Sequence, residues 1–445
     1  MKNSANTKIT DKGTVLIVTI WIVLILAGLV LVFSRSTRVE AIASANYIAS
    51  VQADSIARGA LQYIIAQLQS DQEVVILTQG QDLFEAVELE TGFFWVLHPN
   101  LSDDRNYTYG LTDEASKINL NSATEEMLLK LPGMTSELAS AIIDWRDTDS
   151  EITPGGAENE YYLLLADPYY CKDGPLETVE EVLLLRGASE EILYGEDTNK
   201  NGVLDIQEND ANESEPPDNK NGRLDRGIYD YATVYSHQPN VSQDGQNRIN
   251  VNDTNAEEPL SDLLRELIQD DRYFQIMDAA RDGRPYANIL DYYFRSGLTI
   301  EEFKQIADRL TTQSQNTLTG LVNVNTAPRE VLLCLPEMTE NDADELISKR
   351  ASLEETDLAS IAWVVEVLTQ EKAVAIGAHI TTRSFQHSAD IIGVSYNGRA
   401  YRRYRVVLDM QQGTPQIVYW KSLHHLGWPL NPEILISLRE GNLYQ

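Results

Sequence analysis

The pattern of hydrophobic positions begins with an uninterrupted apolar run from Thr14 to Phe33 that contains no charged residue. A helix needs about 20 apolar residues to cross the hydrocarbon core of a bilayer. Lys2, Lys8 and Lys12 precede the run, and basic residues are retained on the cytoplasmic side of a membrane. The pattern therefore predicts a single transmembrane helix over residues 14–33, with a cytoplasmic N-terminus and the rest of the chain on the other side.

Beyond Phe33 the apolar residues become periodic rather than continuous. Ala57, Leu61, Ile64 and Leu68 recur at the spacing of one helical face. No proline or glycine-rich break separates this stretch from the apolar run, so we expect one helix over residues 14–70, about 85 Å long at 1.5 Å per residue. The alternative is a membrane helix followed by a separate amphipathic helix.

The pattern then changes to short β-prone runs at two places in the chain. Asn397 and Gly398 favour a type I′ hairpin between two of the later runs. The sequence predicts an α+β fold in which residues 71–116 and 379–421 form a small antiparallel sheet, residues 117–378 form a large helical insertion, and residues 422–445 form a tail. The predicted strands lie at 74–77, 92–97, 107–111, 378–385, 389–396, 401–408 and 416–420.

An internal repeat marks the helical insertion. Residues 117–146 align without gaps on residues 321–350, and both copies contain Asn-x-Asn, a Leu-Leu pair, Leu-Pro, Met-Thr and a final Arg. Each copy predicts a helix capped by Ser122 or Thr326, a tight turn, and a second helix after Thr135 or Thr339. This is the pattern of a helix-hairpin-helix unit. A third Asn-x-Asn, at residues 250–252, precedes another helical stretch.

Composition and charge limit the functions that such a chain can have. The formal net charge is −33, which opposes binding to nucleic acid. The repeat hairpins agree with this, because Glu337 places a carboxylate where a phosphate would dock on a helix-hairpin-helix unit. No zinc spacing, nucleophile elbow or phosphate-binding glycine loop occurs, so we expect no catalytic activity. Cys171 and Cys334 are expected to be buried thiols.

The most specific chemical motif lies between the repeats, in residues 197–208. Oxygen-bearing side chains occupy loop positions 1, 3, 5, 9 and 12, position 6 is Gly202, and this is the spacing of an EF-hand calcium loop. A hard cation needs six or seven oxygen ligands, which alternate residues of a tight loop provide. The predicted calcium ligands are Asp197, Asn199, Asn201, Val203 through its carbonyl, Asp205 and Glu208.

Two further acidic stretches could hold a cation. Residues 218–225 repeat the calcium pattern in a shortened form that has Ile228 at the closing position. Its candidate ligands are Asp218, Asn219, Asn221 and Asp225. Asp147, Asp149 and Glu158 could share a cation as well, although an acidic loop exposed to solvent is the simpler explanation of these residues.

The N-terminal arrangement of a basic leader that ends in Gly13 before an uncharged helix resembles the class III signal of type IV pilins and pseudopilins. The later segments at residues 144–149, 155–162 and 176–187 resemble those of type II secretion minor pseudopilin K, also called general secretion pathway protein K. Most pilin-like proteins have Glu at the fifth mature position, where this chain has Val18. Protein K is the pseudopilin that typically lacks this Glu.

The resemblance implies a pilin-like fold with a helical insertion and a role at the tip of the periplasmic pseudopilus, without catalysis. It implies a bacterial inner-membrane anchor with a periplasmic main domain, and processing by prepilin peptidase. The implied partners are the I- and J-type minor pseudopilins and the pseudopilus, but not nucleic acid. The alternatives are a membrane-anchored, calcium-dependent adhesion or surface protein, and a competence-type DNA receptor.

The leader generates a prediction about processing. A prepilin peptidase should cut between Gly13 and Thr14, so residues 1–13 should be absent from the mature chain. N-terminal sequencing in a host with the peptidase should find Thr14 first, and Gly13→Ala should retain the leader, whereas Gly28→Ala should not affect cleavage. A mature chain that keeps Met1, or that begins beyond Phe33, would contradict the pseudopilin signal.

Overall fold

A computed structural model of the protein describes residues 12–69, 81–211, 213, 216–268 and 270–441. The leader residues 1–11 and the strand predicted at 74–77 lie outside the described residues. The first helix, α1, runs without interruption over Lys12–Gln69, which confirms the prediction of one long helix. Its 58 residues correspond to a rod of about 87 Å. The apolar residues of its first half are exposed, as expected of a single-pass membrane anchor.

The main sheet is built from strands near both ends of the chain. Its strands are β1 Val87–Leu89, β2 Gly92–His98, β3 Thr108–Tyr109, β4 Thr112–Asp113, β13 Gln386–Ser395, β14 Tyr401–Asp409 and β15 Gln416–Ser422. They lie in the order β1-β2-β13-β14-β15, with β3 paired to β2 and β4 paired to β13, and every pairing is antiparallel. These pairings confirm the predicted antiparallel sheet.

The second half of α1 packs on the sheet through small side chains. Ala49, Ala53, Ala57 and Ala60 are all buried, and Ile56, Leu61 and Ile64 complete the packed face. The helix comes so close to the sheet that a Cβ atom on Gly393 would lie 2.7 Å from the carbonyl oxygen of Ala53. A larger residue at position 393 would therefore push the helix away from the sheet.

Two details of the C-terminal part differ from the sequence predictions. A hairpin joins β13 to β14, but the amide of Ser395 donates to the carbonyl of Ala400 and only Gly398 of the predicted pair has a positive φ, of 59°. The connection is thus longer than a two-residue type I′ turn, which needs positive φ at both residues. Residues expected to form a tail include the helix Pro432–Arg439, which buries Ile434 and Leu438 against the sheet.

The chain between β4 and β13 forms a second hydrophobic core made mainly of short helices. Three two-stranded parallel ladders connect distant parts of this insertion: β5 Ile118–Asn119 with β6 Ala232–Thr233, β8 Ile249–Asn250 with β9 Leu310–Thr311, and β11 Val322–Asn323 with β12 Ile380–Thr381. The strands β7 His237–Pro239 and β10 Thr317–Thr319 form an antiparallel pair. Residues 378–385, predicted as a strand of the main sheet, contribute β12 to the insertion instead.

The insertion contains many helices, and most are shorter than three turns. The α-helices after α1 and before β13 are Gln81–Phe84, Glu125–Leu129, Ser136–Arg146, Asn159–Tyr162, Glu190–Tyr194, Glu257–Leu267, Asp270–Asp282, Ile289–Ser296, Ile300–Ile306, Arg329–Cys334, Glu340–Arg350, Glu355–Leu358 and Gln370–Ile376. The 3₁₀ turns are Glu114–Ser116, Val179–Leu184, Ile206–Glu208, Ile228–Asp230, Thr254–Ala256, Ala307–Arg309, Ile361–Glu366 and, after the sheet, His424–Leu426.

The three Asn-x-Asn motifs make the same hydrogen bonds. In each motif the first Asn side chain accepts the amide of the second, as Asn119 does from Asn121 at 2.9 Å. The second Asn then binds a later loop, and the Asn121 side chain pairs with both backbone groups of Leu176. The third motif therefore belongs to a third structural repeat, in which Arg284 donates to a nearby carbonyl as Arg146 and Arg350 do.

The helix starts of the sequence repeats are partly as predicted. Thr135 and Thr339 accept hydrogen bonds from the first turns of helices Ser136–Arg146 and Glu340–Arg350. Ser122 and Thr326 are not N-caps. The first helix of each repeat begins later than predicted, and its N-cap is Thr124 in the first repeat and Pro328 in the second. The reason is that the Asn-x-Asn turn occupies the intervening residues.

The insertion is attached to the end of the sheet that is farthest from the membrane-spanning part of α1. Ser50 of α1 contacts Arg402, and Asp54 accepts a hydrogen bond from Tyr404 at 2.6 Å, so later residues of α1 lie beside later residues of β14. The chain enters the insertion after Asp113 and leaves it before Gln386, and both residues lie near Asp409 at the far end of β14. Arg403 also contacts the insertion, close to Tyr404. Asp409 is 3.3 Å from the imidazole of His237 in the insertion.

The turns of the two sequence repeats differ in a way that affects stability. Gly133 has a φ of 68°, and the equivalent residue, the exposed Glu337, has a φ of 58°. The left-handed region costs an L-residue about 1–2 kcal/mol relative to the right-handed one. Glycine does not carry this cost.

We therefore predict that Glu337→Gly stabilises the protein by about 1 kcal/mol, after part of the gain is offset by the flexibility of glycine in the unfolded chain. Glu337→Ala is the matched control, because it removes the carboxylate but keeps the Cβ, and it should change the stability little. Chemical denaturation would measure both variants. An equal gain for Ala and Gly would assign the effect to charge rather than to the backbone.

Candidate metal centre

The predicted calcium loop brings its ligand residues together around Asp205. The side-chain amides of Asn199 and Asn201 donate to the same Asp205 oxygen at 2.6 and 3.0 Å. The Glu208 carboxylate accepts the Asp205 amide at 3.1 Å, and the two residues cap the short turn Ile206–Glu208. Asp197 accepts the amides of Asn201 and Gly202, and the positive φ of Gly202 allows the turn.

The electrostatics of this loop suit a cation. Asp197 and Glu208 are both buried, and burial together with the charges of Asp197 and Asp205 raises the pKa of Glu208 to about 8. Burial and the charge of Asp230 raise the pKa of Asp197 to about 6, although Arg226 opposes the shift. A divalent cation would remove the repulsion between these carboxylates. The donor set therefore fits calcium, which oxygen ligands of this type bind.

The first loop is also the place where the insertion meets the sheet. Arg403 of β14 is fully buried and donates to the carbonyl oxygens of Asn199 and Lys200, each at 2.6 Å. The same guanidinium is paired with Asp390 of β13 at 2.6 Å. The Asn201 side chain donates to the carbonyl oxygen of Pro429 at 3.0 Å. The loop is therefore held from two sides by the sheet and by the segment that follows it.

The second loop has the same local hydrogen bonds as the first. The Asn219 and Asn221 side chains donate to one Asp225 oxygen at 2.6 and 3.2 Å, as Asn199 and Asn201 do to Asp205. Glu196 accepts the Asp225 amide at 3.0 Å. In the first loop, Glu208 accepts the equivalent amide of Asp205. The structure therefore supplies a closing carboxylate that the sequence pattern lacked.

One predicted residue of the second loop has a different role. Asp218 accepts hydrogen bonds from the backbone amides of Asp210, Ala211 and Lys220. It therefore stabilises the segment that connects the two loops. The position that Asp197 holds in the first loop is taken by Asn209, which accepts the Gly222 amide at 3.2 Å. The sequence could not identify Glu196 or Asn209, because both lie before the second loop rather than within its spacing.

Asp104 links the two loops through equivalent positions. Its carbonyl oxygen accepts the amide of Leu204 at 2.7 Å, and its carboxylate accepts the amide of Leu224 at 3.2 Å. Arg226 donates to the same carboxylate and to the Gly202 carbonyl oxygen. The two loops and the segment after β2 thus form one connected unit.

The predicted processing residues Gly13 and Thr14 both lie in the first turns of α1. Thr14 is exposed, as is Val18 one turn later. The cysteines are buried and unpaired, as the sequence predicts.

Comparison with known proteins finds a family match in one part of the chain. Residues 109–194 match the family model described as "Type II secretion system (T2SS), protein K". Residues 109–194 are therefore similar to a domain of protein K, a component of type II secretion systems. No curated protein matches the chain.

A solved structure that resembles this chain is "The Crystal Structure of the GspK-GspI-GspJ complex from enterotoxigenic Escherichia coli Type 2 Secretion System". The match covers 87% of this chain and 98% of that chain at 12% sequence identity, with a TM-score of 0.40. This score is too low to support a conclusion about the fold.

Proposed function

We propose that this chain forms the periplasmic tip of the pseudopilus, in a complex with the I- and J-type minor pseudopilins. The observation that carries the proposal is the position of the insertion at the membrane-distal end of the sheet. In a filament whose subunits all point their membrane helices toward the cell, the next subunit would have to occupy that end. The insertion would block it sterically.

The membrane helix supports the same position in the filament. In pilin-like proteins a Glu at the fifth mature position is thought to pair with the N-terminal amine of the neighbouring subunit. Val18 occupies this position here and cannot form such a pair. The basic residues Lys2, Lys8 and Lys12 precede the helix, so we expect the N-terminus to be cytoplasmic before processing and the residues after α1 to be periplasmic.

The repeats fit packing modules better than nucleic-acid binding units. In the helix-hairpin-helix interpretation, the hairpin of the second repeat exposes the carboxylate of Glu337, and the chain has a net charge of −33. Both features oppose contact with phosphate groups. The first repeat packs against the second instead, since Lys130 donates to the Leu335 carbonyl oxygen at 2.9 Å. A structural rather than a catalytic role follows from this interpretation.

Calcium is the cofactor that we propose for the first loop. Asp197, Asn199, Asn201, Asp205 and Glu208 would hold it through side-chain oxygens, together with the Val203 carbonyl. Glu196, Asn219, Asn221 and Asp225 would hold a second ion. The bound ion would neutralise the buried carboxylates and so stabilise the loops against the sheet.

The tip assignment predicts the behaviour of the full chain in detergent. When it is expressed with the I- and J-type subunits of the same secretion system, all three should copurify as a complex of fixed stoichiometry. The full chain expressed alone should not form filaments. Homopolymers that assemble without these subunits, or a failure to copurify with them, would contradict the proposed position.

The calcium assignment predicts a thermal shift. Calcium at about 100 times its dissociation constant should stabilise the protein by about 2.7 kcal/mol for a site that exists only in the folded state. Glu208→Gln should remove most of this effect, because it removes the closing carboxylate. Asp225→Ala should have a smaller effect, because the second loop takes its ligands from separate segments.

Melting of the full chain in calcium and in chelator would measure the effect. The matched control is Glu213→Gln, which changes an exposed glutamate between the two loops and should leave the shift unchanged. If the unmutated chain has the same melting midpoint in calcium and in chelator, residues 197–208 form only a turn.

A further inference from the structure

A second group of carboxylates lies in the first repeat and is separate from the calcium loops. Asp144 and Asp147 end the helix Ser136–Arg146, Glu158 precedes the helix Asn159–Tyr162, and Asp173 follows in the next loop. Asp144 and Glu158 are completely buried. Ligand atoms of Glu158, Cys171 and Asp173 lie within 4.8 Å of one another.

Most of the oxygens in this group have no hydrogen-bond donor. The unpartnered buried atoms are both carboxylate oxygens of Glu158, Oδ2 of Asp144, Oδ1 of Asp147 and Oδ1 of Asp173. The other oxygen of Asp144 accepts an amide, from Thr153 at 3.0 Å. A buried carboxylate without a donor or a counterion is strongly unfavourable, so several such groups together need a positive charge.

The basic side chains near this group in the sequence are engaged elsewhere. Arg146 donates to the carbonyl oxygens of Leu120 and Ala123. Lys172 is 2.9 Å from a Glu181 carboxylate oxygen, and Arg186 is 2.6 Å from one of Glu137. Lys172 and Arg186 are therefore paired with glutamates outside this group, and Arg146 interacts electrostatically with Asp147.

The backbone of Gly156 packs directly against the carboxylate of Asp144. A Cβ atom on Gly156 would lie 2.0 Å from the unpartnered oxygen of Asp144. The Cys171 thiol lies alongside, 3.8 Å from the carbonyl oxygen of Asp144. Burial, together with the charges of Asp173, Asp144 and Asp147, raises the pKa of Glu158 to about 7.

We propose that Asp144, Asp147, Glu158 and Asp173 form a binding site for a hard divalent cation such as calcium. Carboxylate oxygens are the ligands that calcium prefers, and the cation would bind oxygens that lack a hydrogen-bond partner. Cys171 is a neutral neighbour rather than a ligand, because burial raises the pKa of its thiol and keeps it protonated. Asp149, which the sequence grouped with Asp147 and Glu158, is exposed and accepts the amide of Glu151.

The site would connect parts of the first repeat that are far apart in the sequence. The cation would join the end of helix Ser136–Arg146 to the loops around residues 158 and 173. Because none of its ligands belongs to residues 196–225, this proposal does not depend on the calcium loops.

The test uses the full chain in detergent with Glu208→Gln as the background, so that the first loop cannot account for the signal. Calcium binding is measured by titration calorimetry, and melting is measured in calcium and in chelator. Glu158→Gln in this background should lower the calcium stoichiometry by one ion. It should also raise the melting midpoint in chelator, because it removes one of the mutually repelling charges. Glu160→Gln, at an exposed position in the same segment, is the matched control and should change neither quantity.

A second measurement uses the tryptophan that adjoins the site. Trp145 follows Asp144, so terbium bound at this site should show emission sensitised through tryptophan, and Trp145→Phe or Asp173→Asn should reduce it. Cys171→Ser should retain both the emission and the stoichiometry. If Glu158→Gln binds as many calcium ions as its parent, or melts earlier in chelator, the proposed site is wrong.

Discussion

Arg403 provides the interaction on which the arrangement of the sheet and the insertion depends. Its guanidinium is fully buried and joins Asp390 in the sheet to two carbonyl oxygens of the first calcium-type loop. A buried ion pair is costly to form unless its remaining donors are satisfied, and here the loop carbonyls satisfy them. The position of the loop is thus set by the sheet, and the position of the insertion is set by the loop.

Buried charge recurs throughout this interface. Glu114 and Lys117, where the chain enters the insertion, are both buried and lie 3.8 Å apart, while Arg405 of β14 is 3.7 Å from Glu114. These pairs are balanced by protein groups. The acidic loops and the Glu158 cluster are not balanced in this way, and bound cations would supply the missing charge. The surplus of acidic residues is therefore partly a property of specific sites and not only of the solvent-exposed surface.

The sequence predicted the long helix and the antiparallel sheet because both depend on strong local patterns. The continuous apolar run and the helical spacing from Ala57 to Leu68 specify α1 directly. The repeat alignment located the helix pairs, but it placed the first N-caps at Ser122 and Thr326, because the Asn-x-Asn turn looks like a capping sequence until its hydrogen bonds are known. β12 was assigned to the wrong sheet for a related reason, since β propensity does not show which strand will be the partner.

The candidate sites also show that local sequence patterns do not reveal tertiary partners. Loop spacing could propose oxygen ligands within residues 197–208, which are contiguous, but not Glu196, which reaches the second loop from outside it. Asp144 and Asp173 were likewise not recognised, because their approach to Glu158 depends on how the first repeat folds. Spacing rules detect sites within one loop, whereas sites assembled from several segments need the tertiary structure.

The central claim is that the first loop, when it binds calcium, fixes the insertion to the sheet. Hydrogen exchange of the full chain with calcium and with chelator tests this claim most directly. Calcium should slow amide exchange in residues 197–208 and also in the segments that the loop contacts, around Asp104 and Pro429, because Leu204 and Asn201 bind them. Slower exchange in the loop alone, or no change in either region, would contradict the claim.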